Sequence, residues 1–269
     1  MDIQLSTSAQ QWQQKISSFV EDELIPWEEY AEAHNGELPD EIWARHNSIA
    51  CDELGLSRMD APRTHGGLEL NMEEQVAIWE QLGRVTNALC WTCFPESQQW
   101  MFEACTPDQV ERYVKRLMEG KTQDAYAITE AESGSMETVN STATASKDGF
   151  VINGEKWYVT SGNKADFLWV QAKIDSGFDS LFLVDKNSPG IEVIDNPQFS
   201  HTFSAHHPTY RFSDVFVPAE NQVGSGDAGM TYTRSWFRHE RMMIAARSCG
   251  AAQRMIEEAS AWAKTRHID

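Results

Sequence analysis

The feature that most constrains the fold is a change in hydrophobic periodicity near Asp124. Before it, from about residue 8 to residue 120, apolar side chains recur at helical spacing, as in Trp12, Ile16 and Leu24. Residues three and four positions apart share one face of a helix. The N-terminal part of the chain is therefore predicted to be all-α.

Capping signals divide this helical part into separate helices. Asn71 and Glu74 form a variant of the capping box ahead of an apolar stretch. Thr106, Pro107 and Gln109 have the residue types favoured at the cap, the first and the third positions of a helix. Helices are thus predicted to begin next to Asn71 and Thr106.

Short β-branched and aromatic runs replace the helical spacing after Asp124. They include AYAIT, STATAS, EKWYVT, DFLWVQAKI, SLFLVD and TYRFSDVFV. Turn residues such as Asn153-Gly154 and Ser188-Pro189-Gly190 separate them. Because no helical segment intervenes, the pattern predicts an antiparallel β sandwich or barrel and not βαβ units.

Helical spacing returns near Met230 and continues to Arg266. Trp236, Met243 and Ile256 recur on one side of this long segment. A solitary terminal helix does not bury both of its sides. This helix is therefore expected to need packing partners that the sequence does not contain.

The charge balance excludes one class of function. The chain of 269 residues has 22 Lys and Arg against 41 Asp and Glu, a formal net charge of −19. Nucleic-acid binding needs clustered cations to neutralise phosphates, so we expect no nucleic-acid partner. The excess negative charge is interpreted as a solvated acidic surface.

Other features predict a cytoplasmic protein without a metal site. No signal peptide and no apolar run of membrane-spanning length is visible. The five cysteines are an odd number, which favours reduced thiols, and Cys90 and Cys93 are predicted to be small buried thiols on a helix. His206-His207 has no metal-ligand spacing and is predicted to be a loop pair exposed to solvent.

Four segments of the sequence, taken in chain order, carry the main indication of function. They are YAITEAESGS at 126–135, INGEKWYVTSG at 152–162, FSDVFVPAEN at 212–221, and the stretch from Glu240-Arg241 to Arg266. Each resembles a signature segment of the acyl-CoA dehydrogenase family, and the likeness extends over essentially the whole chain.

The resemblance implies a fold and a domain organisation. We expect an α+β multidomain protein with an all-α N-terminal domain over 1–123 and an antiparallel β domain over 124–226. Residues 227–269 would be the first helix of a C-terminal helical bundle whose remaining helices are absent.

The resemblance also implies an activity and its partners. We expect an oxidoreductase that uses FAD for α,β-dehydrogenation of an acyl-CoA thioester, as in fatty acid β-oxidation. Electron-transferring flavoprotein would be the oxidant. The protein would be a homo-oligomer or would need a partner that completes the bundle.

Site residues follow from the matched positions. The family binds FAD between the β domain and helices, and the matched flavin-lining positions are Tyr126, Ile128, Thr129, Ser135, Tyr158, Val159 and Thr160. Ser135, Arg238 and Arg241 would contact the acyl-CoA. Reduced flavin carries negative charge near N1, so hydroxyl and N–H donors suit these positions.

Glu240 is the candidate catalytic base. Removing a weakly acidic α-proton calls for a carboxylate whose pKa is raised by burial. Isovaleryl and long-chain members of the family carry this Glu beside an Arg on the first bundle helix, which Glu240-Arg241 matches. In the alternative interpretation, Glu240 only pairs with an Arg on the helix surface.

The sequence does not specify the acyl group of the substrate, and it is compatible with two other functions. The segment 200–207 departs from the family pattern, and Trp91 and Phe94 either line an acyl tunnel or are plain core. One rival is an acyl-CoA oxidase or flavin monooxygenase on the same scaffold. The other is a non-catalytic truncated chain or partner-dependent subunit.

Overall fold

The α-helices of the computed structural model lie at the two ends of the chain. The structure describes residues 4–86, 89, 94–133, 135, 138–199 and 206–267. Within these ranges the α-helices are α1 (Thr7–Phe19), α2 (Glu28–Ala33), α3 (Asp40–Ser48), α4 (Met72–Leu82), α5 (Gln99–Ala104), α6 (Pro107–Gln109), α7 (Lys115–Met118) and α8 (Gly229–Thr265).

The β-strands of the described chain occupy its middle. They are β1 (Asp124–Ala127), β2 (Thr142–Ser146), β3 (Gly149–Lys156), β4 (Phe167–Ile174), β5 (Asp179–Asp185), β6 (Ile191–Asp195), β7 (Thr209–Pro218) and β8 (Gln222–Val223). The predicted order of helices, β domain and one long helix is thus confirmed.

Both predicted capping signals are confirmed. Asn71 Oδ1 accepts from the Glu74 N–H at 3.1 Å, and the Glu74 carboxylate accepts from the Asn71 N–H at 2.8 Å. Thr106 and Gln109 make the same reciprocal pair at 3.3 and 2.9 Å, with Pro107 in the first turn. These side chains satisfy N–H groups that a helix leaves unpaired at its start.

The strands form one mixed sheet in the order β6-β7-β3-β2-β4-β5-β8, with β1 also paired to β4. Most pairs are antiparallel, as predicted, but β1 and β2 both run parallel to β4 and occupy different stretches of the same edge. The long chain between β1 and β4 provides the crossover connection that a parallel pair requires.

The sheet curls over its own core. Phe150 of β3 and Phe182 of β5 lie 5.1 Å apart between ring centroids, although β2 and β4 stand between their strands in the sheet order. Buried residues of β3, β4, β5 and β7 form one apolar cluster. The curvature gives the enclosed core that a sandwich or barrel has.

Two glycines allow α4 and α8 to cross in close contact. A Cβ built on Gly250 would lie 1.8 Å from the Glu80 carbonyl oxygen, and one built on Gly83 would lie 2.2 Å from the Arg247 carbonyl oxygen. Backbone atoms cannot give way as a flexible side chain can. This crossing joins the N-terminal helices to α8.

We expect Gly250→Ala to destabilise the protein by about 2 kcal/mol, since overpacking a tight site costs roughly 1–3 kcal/mol. The sign is informative, because Gly→Ala inside an unhindered helix stabilises by about 1 kcal/mol. Chemical denaturation measures the change. Gly226→Ala is the control, since its Cβ would meet only side-chain atoms, at 3.2 Å or more; an unchanged or raised stability for Gly250→Ala would contradict the close crossing.

The later part of α8 is mostly exposed. Met255, Ile256 and Trp262 are 64%, 62% and 60% exposed. Arg254 instead reaches Glu28, 2.7 Å from Nη2 to Oε2, and ties this part of α8 to the N-terminal helices. Across the described residues, no helix combines the length and apolar character that crossing a membrane needs.

Candidate active site

The first two matched segments are joined by the backbone. The Trp157 N–H donates to the Thr129 carbonyl at 2.7 Å, and Lys156 Nζ donates to the Ile128 carbonyl at 3.3 Å. Thr129 follows β1, and Trp157 follows β3. The hydroxyl-bearing segments that begin at Thr129 and Trp157 therefore lie side by side at the end of their strands.

A buried ion pair that the sequence interpretation missed anchors this junction. Lys156 Nζ lies 2.7 Å from Glu130 Oε1, with side-chain exposures of 0% and 6%. Glu130 also accepts from the N–H groups of Asn140 and Ser141 at 2.6 and 2.9 Å. Burial opposes ionisation of Glu130, but Lys156 and Ser141 hold the pKa of its carboxyl below the usual value.

The segment after β3 presents polar and aromatic groups outward. Tyr158 and Ser161 have φ of 53° and 62°, in the left-handed region that non-glycine residues rarely adopt. Val159 is buried and donates its N–H to the Pro208 carbonyl at 3.0 Å. Tyr158 is 46% exposed, and Thr160, two positions further on, is exposed as well.

The histidine pair does not match the prediction of a solvent-exposed loop. His206 is only 5% exposed, because it packs against the segment after β3, and His207 is half-buried. Ser161 Oγ lies 3.2 Å from His206 Nε2, and His207 Nδ1 lies 3.1 Å from Thr160 Oγ1. The residues that cover these rings, Thr160 and Ser161, are more than 40 positions away in the sequence. The sequence around the two histidines therefore does not indicate their burial.

Tyr126 connects the sheet to α8. Its hydroxyl is 2.8 Å from Thr233 Oγ1, which donates in turn to Gln171 Oε1 at 2.8 Å. Its ring stacks on Trp236 with centroids 4.1 Å apart. Burial raises the pKa of the Tyr126 hydroxyl, which keeps the group neutral.

Glu240 lies further along the same face of α8. Thr233, Trp236 and Glu240 are spaced at i, i+3 and i+7, which places them on one side of a helix. The Glu240 side chain is half-buried, and within the described chain its carboxylate makes neither a hydrogen bond nor an ion pair. The charge of Arg247 acts on Glu240 without forming an ion pair with it.

The surroundings of Glu240 favour its protonated form. Burial raises the pKa of Glu240 to about 7, and the negative charge of Glu96 adds to the effect, while the positive charges of His239 and Arg247 oppose it. A carboxylate with a pKa close to neutrality can remove a proton near pH 7 more effectively than an ordinary Glu.

A second buried ion pair lies next to Glu240. His239 Nε2 is 2.9 Å from Glu96 Oε2, and the Trp79 indole N–H donates to Glu96 Oε1 at 3.1 Å. His239 Nδ1 faces Asp60 at 3.9 Å. Burial disfavours the charged imidazole, but Glu96 and Asp60 raise the pKa of His239 above its usual value. The sequence interpretation missed this pair because its members are distant along the chain.

The remaining predicted site residues are placed as follows. Ser135, Arg238 and Arg241 are all exposed; Arg238 donates to Ser235 Oγ at 3.0 Å, and the Arg241 guanidinium lies 5.5 Å from the Phe237 ring centroid. Phe94 is partly buried against the helical core. Trp91, Cys90 and Cys93 lie outside the described residues.

These groups fit a flavin. Thr129 and Thr160 are exposed hydroxyl-bearing residues on two hydrogen-bonded segments, and the Tyr158 ring beside them offers an apolar surface. A tricyclic ring with a polar edge and an apolar face needs both kinds of contact. Glu240 supplies a basic carboxylate on the helix that packs against the same domain.

Comparison with known proteins identifies the family. Residues 6–121 match the family model for the acyl-CoA dehydrogenase N-terminal domain, 125–215 match the middle domain, and 227–269 match the C-terminal domain. Together these matches cover nearly the whole chain, in the family's order. The chain belongs to the acyl-CoA dehydrogenase family.

Individual relatives are distant. A mitochondrial 2-methylacyl-CoA dehydrogenase of Solanum tuberosum is 26% identical over 94% of this chain and 62% of its own length. Caffeyl-CoA reductase-Etf complex subunit CarC of Acetobacterium woodii is 28% identical over 86% of this chain and 62% of its own. The chain thus spans about three-fifths of the length of these relatives.

Solved structures share the fold. A protein from Mycobacterium abscessus, described as a probable acyl-CoA dehydrogenase, superposes with a TM-score of 0.86 at 29% identity, covering 98% of this chain and 70% of that one. An acyl-CoA dehydrogenase from Bacillus anthracis complexed with FAD gives 0.85 at 26% identity, covering 98% and 45%.

Proposed function

We propose that this chain is part of an FAD-dependent dehydrogenase that introduces a double bond between Cα and Cβ of an acyl-CoA thioester. The observation that carries the proposal is Glu240, a half-buried carboxylate whose pKa is raised to about 7. It lies on the helix face that contacts the β domain through Tyr126. Family membership supplies the reaction class.

Different residues of the chain would bind the cofactor and remove the proton. Thr129, Thr160 and the Tyr158 ring would hold FAD, with Ile128, Val159, Tyr126 and Ser135 lining the same site. Bound FAD would supply the acceptor for the β-hydrogen, which leaves as hydride. The Glu240 carboxylate takes the α-proton onto one of its oxygens, and its partial burial keeps competing water away from that oxygen.

Two cations on α8 suit the anionic part of the substrate. Arg238 and Arg241 are exposed near Glu240, and guanidinium groups bind phosphates with paired hydrogen bonds. They would hold the CoA phosphates while the acyl group enters beside Glu240. Electron-transferring flavoprotein is the proposed oxidant, a proposal supported by the Etf complex to which the Acetobacterium relative belongs.

The direct test is an absorbance titration of the purified chain with FAD, followed by anaerobic addition of acyl-CoAs that differ in length and branching. We expect bound flavin and its bleaching by at least one substrate. Rapid oxygen consumption during turnover would instead indicate an oxidase or monooxygenase. A chain that binds no FAD would contradict the proposal.

We expect Thr129→Val to weaken FAD binding about fivefold, as loss of one hydrogen bond does. Thr144→Val is the matched control, since Thr144 is also an exposed threonine in the β domain but lies on β2. Isothermal titration with FAD measures both. Equal affinities for the two variants would remove Thr129 from the site.

A further inference from the structure

The two histidines link two hydroxyls of one turn through a continuous chain of hydrogen-bonding atoms. Ser161 Oγ lies 3.2 Å from His206 Nε2, His206 Nδ1 lies 3.4 Å from His207 Nε2, and His207 Nδ1 lies 3.1 Å from Thr160 Oγ1. Each contact joins the next, so the state of one ring constrains the other.

A neutral imidazole carries one N–H donor and one acceptor nitrogen. With neutral rings, a chain in which all three contacts are hydrogen bonds therefore runs in one of two directions. In the first, Ser161 donates to His206, His206 donates to His207, and His207 donates to Thr160. In the second, all three bonds reverse and Thr160 donates to His207. An added proton on either ring permits only those arrangements in which His207 donates to Thr160.

The direction decides what Thr160 offers outside the chain. When His207 donates to Thr160 Oγ1, the hydroxyl proton is left to point away from the ring. When Thr160 donates to His207, that proton is used inside the chain. A ligand with an acceptor atom next to the exposed Thr160 favours the first direction.

We propose that His207, supported by His206, is a positioning residue that directs the Thr160 hydroxyl proton toward an acceptor atom of the flavin ring. This inference rests on the proposed function, since it assumes that the flavin lies against Thr160. His207 itself touches the hydroxyl and acts through it.

The surrounding packing keeps the rings in place. The His207 ring lies edge-on to Phe199 at 5.0 Å, and Phe199 lies edge-on to Tyr158 at 5.8 Å. The Pro208 carbonyl accepts from the Val159 N–H, which holds the two segments in register. A donor fixed in this way needs little reorganisation when the ligand binds.

The test is a double-mutant cycle between His207→Ala and Thr160→Val, read out by the FAD dissociation constant and by the visible absorption bands of bound flavin. We expect His207→Ala alone to raise the dissociation constant about fivefold and to shift the bands, which is the effect of one misdirected hydrogen bond. In the Thr160→Val background the same change should alter binding by less than about twofold. His207→Asn, whose amide N–H can replace Nδ1–H, should restore the wild-type bands.

The outcomes separate the two proposals. If wild-type chain binds FAD and His207→Ala matches it in affinity and bands, the positioning role is overturned and the proposed function stands. An equal loss in the presence and absence of the Thr160 hydroxyl also overturns it, because packing would then be the cause. Wild-type chain that binds no FAD overturns both.

Discussion

Glu240→Gln is expected to retain bound flavin but to lower the rate of its bleaching by acyl-CoA about 1000-fold, within the range that a general base contributes. The amide has nearly the shape of the carboxylate and cannot accept the α-proton. Stopped-flow absorbance under anaerobic conditions measures the rate. Glu258→Gln is the matched control, since it makes the same change on α8 at an exposed position.

The pH dependence follows from the same residue. Because the pKa of Glu240 is raised to about 7, the bleaching rate of the wild-type protein should rise with pH and reach half its maximum near that value. Bleaching that is as fast in Glu240→Gln as in the wild type would place the base elsewhere.

The stability of Glu240→Gln shows whether its loss of activity could result from unfolding. An acid whose folded-state pKa is raised contributes stability below its unfolded pKa, and loses it as pH rises through the folded value. For Glu240 the window runs from its ordinary value of 4.5 to about 7. Glu240→Gln should therefore be at least as stable as the wild type at pH values above this window, so its lost activity would not reflect unfolding.

Lys156→Met is expected to lower the free energy of unfolding by about 4 kcal/mol and to abolish FAD binding. Removing one partner of a buried ion pair leaves the other charge uncompensated, which costs roughly 3–5 kcal/mol. In Lys156→Met the charge left without its partner is that of Glu130. This residue is 7% exposed and accepts hydrogen bonds from the backbone N–H groups of Asn140 and Ser141. Urea denaturation and an FAD titration measure the two effects.

Two further variants make the Lys156 prediction specific. Lys164→Met removes a partly exposed pair with Glu37, at 3.2 Å, and should change stability by less than about 1 kcal/mol. Adding Glu130→Gln to Lys156→Met removes the stranded charge and should recover part of the loss. A Lys156→Met protein as stable as Lys164→Met would show that the buried pair does not anchor the junction.

Local signals in the sequence predicted the elements well where the relevant atoms are close along the chain. Asn71 with Glu74 and Thr106 with Gln109 are three residues apart, so their capping bonds follow from spacing. The β runs after Asp124 were recognisable because alternation and turn residues are also local. The parallel pairing of β1 with β4 could not be recognised in the same way. Its partners are brought together by the long connection between the two strands, which is not a local feature of the sequence.

Some residues of the candidate site could be predicted from local segments of the sequence, and others could not. Its matched segments pointed to Thr129, Thr160 and Glu240, and these assignments remain predictions. The Lys156–Glu130 and His239–Glu96 pairs join residues 26 and 143 positions apart, and no sequence pattern links them. The His206-His207 pair has no metal-ligand spacing, which predicts a solvent-exposed loop, whereas His206 is buried against the segment after β3.

By itself, the sequence determined the order of helices, strands and long helix, the capped helix starts, and the family likeness carried by four segments. These depend on periodicity and on short-range hydrogen bonds. Only the tertiary structure decided which charges are buried in pairs, that Glu240 lies half-buried without a hydrogen bond among the described residues, and that two histidines connect Thr160 to Ser161. Burial and electrostatic environment are properties of the packed chain, because they depend on groups that folding brings together from distant positions.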